Sequence, residues 1–252
     1  MSQVKISGVS HTDTALGAPP DETPLTTALH RQLVAEFLGT ALLVAVVVGS
    51  GIAAATLSPD DVGLQLLENS TTTAFALAVL ILAFGPVSGA HFNPVVTVVS
   101  WLADRRDGLM MMSPLTVAGY VVAQCAGAVA GAVLANVMFD VPTQLATNHR
   151  ATGPHLVAEI VATAGLVLVI FTLTRTGRGV LAAPAVGAYI GAAYWFTSST
   201  SFANPAVTVG RMFSDTFAGI APASVPAFIA AQLLGGLVGL AVVLYLYPRR
   251  TD

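Results

Sequence analysis

The chain has 252 residues, of which 55% are hydrophobic and only 9% charged, with a net charge of −3. Soluble domains carry roughly 25% charged residues, so this composition cannot coat a water-facing globule and places the chain in a lipid bilayer. The slightly acidic balance, with no basic patch, excludes nucleic acid as a partner, and a lone Cys125 in an apolar stretch excludes an internal disulfide or a cysteine-based metal cage.

Residues 1–29 are mixed and polar, with Pro19 and Pro20 and no apolar core, and read as a flexible tail rather than a signal peptide. A first span is predicted over Leu33 to Leu57, apolar apart from Glu36 and long enough to cross at ~1.5 Å per residue. A polar loop through Asp60, Asp61 and Glu68 leads to a second span from about Thr71 to Phe84, ended by Gly85-Pro86. The stretch Ser88-Gly89-Ala90-His91-Phe92-Asn93-Pro94-Val95-Val96-Thr97 then interrupts the apolar landscape. Asn before Pro at the head of an apolar run reads as a helix start, because Asn caps and Pro at the first helical position loses no useful donor. This helix, about Pro94 to Leu102, meets Asp104-Arg105-Arg106-Asp107 after about three turns and cannot cross the bilayer.

A third span covers about Leu115 to Met138 and contains Gln124, with Gly127, Ala128 and Gly131 small enough for close helix approach. After a loop with Pro142, His149, Arg150 and Pro154, the fourth span opens at Leu156 with Ala158-Glu159 and runs to about Leu173, closed by Arg175 and Arg178. The fifth covers about Val180 to Phe196. Ser201-Phe202-Ala203-Asn204-Pro205-Ala206-Val207-Thr208 then repeats the earlier interruption and starts a second short helix, Pro205 to Phe213. The sixth span, about Val225 to Tyr247, carries Gly235, Gly236 and Gly239, and Arg249 and Arg250 finish the chain.

The halves align, Glu36 with Glu159, Asn93 with Asn204 and Gln124 with Gln232, as repeats of about 31–139 and 155–248 within a membrane domain of residues 30–252. Each has three spans and a half-helix, so the second must enter from the opposite side as an inverted repeat. With both termini in the cytoplasm, Lys5, Arg31, Arg105, Arg106, Arg175, Arg178, Arg249 and Arg250 lie inside and only Arg150 and Arg211 outside, as the positive-inside rule requires. Two half-helix N-termini near the midplane present unpaired N–H groups and partial positive charge, tolerable only beside protein or a water-filled path. Where they meet, they make a pore.

At these residues the chain resembles the aquaporin, or major intrinsic protein, family, whose two Asn-Pro-Ala boxes correspond here to Asn93-Pro94-Val95 and Asn204-Pro205-Ala206. The resemblance implies an all-α fold of six spans and two re-entrant half-helices, assembled as a homotetramer in the plasma or inner membrane. It implies passive conduction of small neutral solutes through each protomer, without a cofactor. Asn93 and Asn204 either donate an amide N–H to the solute or only cap their helices. Glu36 and Glu159 need donors; equivalent places in both repeats favour bonds from the re-entrant loops, as in the family, over proton relays. His91 either lines the cytoplasmic half of the pore or is satisfied by loop carbonyls.

The family's outer constriction has four residues, carried over by spacing as Thr73, Ala192, Ser201 and Val207, with Phe75 the alternative to Thr73. Most members have Arg where this chain has Val207. A ring of Thr, Ala, Ser and Val is wider and less polar, fit for solutes larger than water, and Arg211, one helical turn further out, either puts a positive charge in the outer vestibule or pairs with Asp215 four residues on. Bacterial members with an aliphatic residue at that place are linked to arsenic compounds, which extends the solutes from glycerol-like polyols and water to undissociated arsenious acid. The competing functions are an ion-coupled secondary transporter, which shares inverted repeats and broken helices, and a water-selective channel. No metal-ligand cluster, nucleophile-base pair or phosphate loop points to an enzyme; Ser198-Ser199 and His149 read as lacking partners.

Overall fold

Eight helices make up most of residues 28–248, the part that a computed structural model of the chain describes. The tail through residue 27, with Lys5, and the terminal Arg249 and Arg250 lie outside the described residues. Six elements are long and apolar enough to cross a membrane: α1 (Leu29–Leu57), α2 (Val62–Ser88), α4 (Pro114–Met138), α5 (Gly153–Arg175), α6 (Ala182–Phe196, entered through a 3-10 turn at Gly179–Leu181) and α8 (Val225–Leu246). Two are short: α3 (Pro94–Arg106) and α7 (Pro205–Gly210, tightened into a 3-10 turn at Arg211–Phe213). An even number of crossings leaves the start of α1 and the end of α8 on one side, here the terminal side; Arg150 is on the other, the far side.

One span departs from expectation at both ends. Helix α2 starts at Val62, where the Asp61 side chain caps Leu64 N–H, and absorbs the segment expected as a loop. Its polar residues find partners on α1 and its C-cap: Gln65 donates to the Ser58 carbonyl at 2.8 Å, Asn69 to the Val47 carbonyl at 2.9 Å, and Glu68 accepts from the Ser58 hydroxyl at 2.9 Å. It also passes through Gly85-Pro86 to Ser88, where Gly89 at φ 85° terminates it in the left-handed conformation a C-terminal cap requires. A proline in the last turn forfeits one backbone bond and leaves the helix running.

The repeats pack through equivalent contacts. Helix α1 crosses α4 and α5 crosses α8 so closely that a Cβ on Gly127 or Gly131 would lie under 3.0 Å from the Phe37 or Ala41 carbonyl oxygen. A Cβ on Gly235 or Gly239 would meet Ile160 or Ala164 in the same way. Without side chains at these points the backbones approach to contact distance, which is how helices gain packing energy in a solvent as apolar as themselves. Val95, in place of the family's alanine, packs its Cγ1 where Gly236 has no side chain and joins Val99, Val167 and Leu240 in a small cluster. Other large apolar side chains, among them Leu38, Phe75, Val79 and Leu237, are exposed.

Candidate functional site

Asn93 and Asn204 are the N-caps of α3 and α7, extended at φ −152° and −158°, each followed by proline at the first helical position. Asn93 Oδ1 accepts from Val95 N–H at 2.9 Å; Asn204 Oδ1 accepts from Ala206 N–H at 3.0 Å and Val207 N–H at 3.2 Å. Their amide nitrogens reach across the repeat boundary. Asn93 Nδ2 donates to the Ala203 carbonyl and Asn204 Nδ2 to the Phe92 carbonyl, both at 2.7 Å. Each amide NH2 carries a second hydrogen, which leaves one N–H per asparagine for the cavity that both residues line.

The loops leading to the caps are held by the two buried acids. Glu36 accepts from the Ser88 hydroxyl at 2.6 Å, His91 N–H at 2.9 Å, Phe92 N–H at 2.7 Å and Gln124 Nε2 at 2.8 Å. Glu159 accepts from the equivalents: Ser199 hydroxyl at 2.6 Å, Phe202 N–H at 2.9 Å, Ala203 N–H at 2.8 Å and Gln232 Nε2 at 2.7 Å. Four donors on each carboxylate offset the cost of burying it. They also hold Ala90, Phe92, Ser201 and Ala203 at φ between 48° and 51°, a left-handed region that non-glycine residues occupy only under constraint. In that conformation the N–H groups turn to the acid. No protein donor among the described residues reaches the carbonyls of Ala90, His91, Ser201 or Phe202, and all four residues line the cavity.

Ser199, read from sequence as partnerless, thus belongs to this frame, as does Ser88. So do Thr97 and Thr208, which take a bond from Gln124 or Gln232 and return one to the Asn93 or Asn204 carbonyl. Their common spacing from the two asparagines was the available signal. His91 Nδ1 lies 3.0 Å from the Thr97 hydroxyl, and its ring stands edge-on to Tyr120. The His91 tautomer with its hydrogen on Nδ1 donates to the Thr97 hydroxyl and frees that hydroxyl's own proton for the Asn93 carbonyl.

A cavity of about 730 Å³ threads past both asparagines, from Gln32, Asp104 and Met112 on the terminal side to Tyr194, Val207 and Arg211 on the far side. Its far end is where the sequence expectations are revised. Thr73, 2% exposed, lines the cavity with its hydroxyl 3.3 Å from Tyr194 OH, whereas Phe75 is 71% exposed on the outer face. Ala192 is exposed and away from the cavity. Helix α6 contributes Ala182, Val186, Ile190 and Tyr194, a four-residue repeat whose face lies about 200° from position 192. Ser201 and Val207 line the cavity, and the Ser201 hydroxyl is buried without a partner.

Arg211 is 3% exposed and also lines the cavity. Its guanidinium lies over the Phe202 ring at 3.4 Å from the centroid and donates through Nε to the Ala218 carbonyl. It does not pair with Asp215. Helix α7 ends at Gly210, and the extended Ser214 carries Asp215 off to the Thr147 N–H and hydroxyl at 2.8 and 3.0 Å. Arg150 also approaches Phe202, at 5.5 Å, but gives its donors to the Gly219 and Phe217 carbonyls at 2.7 and 3.0 Å; burial in this loop lowers its pKa.

Two broken helices tied cap to cap inside one cavity agree with what comparison with known proteins finds: residues 25–200 match the family model for Major intrinsic protein. The chain belongs to the major intrinsic protein family. It is 49% identical over 220 residues to the aquaglyceroporin AqpS of Rhizobium meliloti (strain 1021), covering 86% of this chain and 91% of that one. It is 34% identical over 158 residues to aquaporin-2 of Homo sapiens, covering 60% of this chain and 54% of that one. In fold it is similar to the X-ray structure of the aquaglyceroporin from Plasmodium falciparum, with a TM-score of 0.63 at 18% identity over 86% of this chain and 96% of the other. As a major intrinsic protein the chain is a multi-pass membrane channel for small neutral solutes and not an enzyme.

Proposed function

We propose that this channel passively conducts glycerol-sized polyols, water and undissociated arsenious acid, with Asn93 and Asn204 as its central donors and a far-side constriction formed around Thr73, Tyr194, Ser201 and Val207. The observation that carries the reading is the pair of reciprocal 2.7 Å asparagine-to-carbonyl bonds inside one cavity, flanked by loop carbonyls with no protein donor among the described residues. A hydroxylated solute brings donors for those carbonyls and acceptors for the asparagine N–H groups. A water molecule held by both asparagines cannot extend a donor chain through the midpoint, and the facing helix ends repel cations. The name of the AqpS relative supports a solute larger than water, and Val207 removes bulk at the constriction.

The excess of Arg and Lys on the terminal side supports cytoplasmic termini in the plasma or inner membrane, with the far side outside, and family membership supports a homotetramer with one pore per protomer. Glu36 and Glu159, each bound by four donors, serve as loop anchors rather than relays. Stopped-flow light scattering of proteoliposomes, comparing water, glycerol and arsenious acid, tests the proposal. Swelling in glycerol well above that of empty vesicles, independent of any proton or sodium gradient, is the expected result; gradient-dependent uptake refutes it in favour of coupled transport.

A further inference from the structure

Five observations converge on one side chain at the far end of the cavity. Arg211 stands one helical turn beyond Val207, so both project from the same face of the second half-helix, and both line the cavity. Its Nε is engaged by the Ala218 carbonyl and its guanidinium carbon lies over the ring of Phe202, 4% exposed. No acceptor among the described residues takes a bond from either Nη, and neither is a fully enclosed orphan, so these N–H groups open onto the cavity. The one acid held in the same loop frame, Glu159, has both oxygens occupied by four donors. Arg150, over the same ring, adds a second positive charge while its Nε and Nη2 are bound to carbonyls.

We infer that Arg211 is the selecting residue of the far-side neck: its guanidinium donates to the oxygen of a passing neutral solute and turns away monovalent cations, from a position four residues beyond the Val207 side chain that cannot do either. The inference rests on the channel reading above. Phe202 and the Ala218 carbonyl set the plane of the guanidinium, which fixes where its two outward N–H groups stand. The partnerless Ser201 hydroxyl and the Thr73 and Tyr194 hydroxyls complete a polar neck in which Arg211 supplies the charge. The neck is therefore not a neutral ring. Its two ends also differ by design of the repeat: the positions equivalent to Phe202 and Arg211 are His91 and Ser100, and Asp104 lines that terminal mouth.

The test uses the full chain in proteoliposomes, wild type beside Arg211→Gln and Arg211→Lys, with two readouts: swelling in glycerol and in urea, and decay of an imposed potassium diffusion potential followed with a voltage-sensitive dye. Wild type conducts glycerol and holds the potential. Arg211→Gln shifts the glycerol-to-urea ratio, since the donor to the solute oxygen is lost, and loses the potential at least about fivefold faster, since the charge barrier at the neck is gone. Arg211→Lys holds the potential but shifts the glycerol-to-urea ratio by about threefold or more, because a point-charge ammonium cannot present the planar fork. Arg211→Gln vesicles as potassium-tight as wild type overturn the inference. If that variant fails to reconstitute, an Arg211→Lys ratio equal to wild type overturns it instead. Wild-type vesicles that swell no faster than empty ones overturn the channel reading itself, and this inference with it.

Discussion

Replacing Glu159 with leucine tests whether a carboxylate sets the geometry of the second re-entrant loop. The substitution is close in volume but removes the acceptor of four bonds of 2.6 to 2.9 Å, from Ser199, Phe202, Ala203 and Gln232. A buried donor left unpaired costs about 1–3 kcal/mol, so the gross loss is about 4–12 kcal/mol. Against this stands the relief of several kcal/mol from no longer burying a charge, which in mid-range leaves a net destabilisation of about 3 kcal/mol. Ser201 and Ala203, at φ 51° and 48°, also lose the bonds that hold them left-handed, so Asn204 is delivered to the wrong place even in molecules that fold. At roughly 2–4 °C per kcal/mol for a chain of this size, Tm in detergent falls by about 6–12 °C, and glycerol flux falls with it. Fluorescence-detected size exclusion after graded heating measures the first and stopped-flow swelling the second. A monodisperse Glu159→Leu channel with Tm within about 2 °C of wild type and undiminished flux would refute the reasoning.

Introducing a guanidinium at the constriction, Val207→Arg, places a second cation one turn from Arg211 on the same face and narrows the neck, so glycerol swelling drops by about tenfold or more; equal rates would remove Val207 from the constriction. Gly235→Leu drives a side chain into the Ile160 carbonyl and the Thr163 Cβ, where even a Cβ would lie at or under 3.0 Å. It lowers stability by about 3 kcal/mol, whereas Gly153→Ala, with nothing within 4 Å, leaves Tm unchanged. Equal melting of the two variants would mean that α5 and α8 can separate at no cost.

How much of this was legible in the chain depends on whether a residue's partner is local. The number of spans, the two caps and the inverted order follow from apolar length and from Asn-Pro at matching places, because backbone satisfaction in lipid leaves few alternatives. The start of α2 was hidden because Gln65, Glu68 and Asn69 look like loop residues until α1 supplies their partners. Ala192 was misplaced because counting residues does not carry helix phase across the turn between Phe196 and Ser201; Tyr194 carries the cavity face. The assumed Arg211–Asp215 pair needed a helix continuing past Gly210. The 3-10 turn at Arg211–Phe213 sends the two side chains to different neighbours. Ser88, Thr97 and Thr208 stand in the repeated motif without an evident role and Ser199 reads as partnerless, since nothing local tells a serine that a glutamate lies 40 or 52 residues away in sequence.

The reciprocal amide bonds also bear on how the chain is made. A ribosome releases Asn93 with its amide unsatisfied, and the carbonyl that receives it belongs to a residue 110 positions later. Until that residue arrives, the first box is a helix start inside the membrane with nothing to face, so neither half of the polypeptide holds a finished passage. The two halves expressed as separate polypeptides must find each other before any solute crosses.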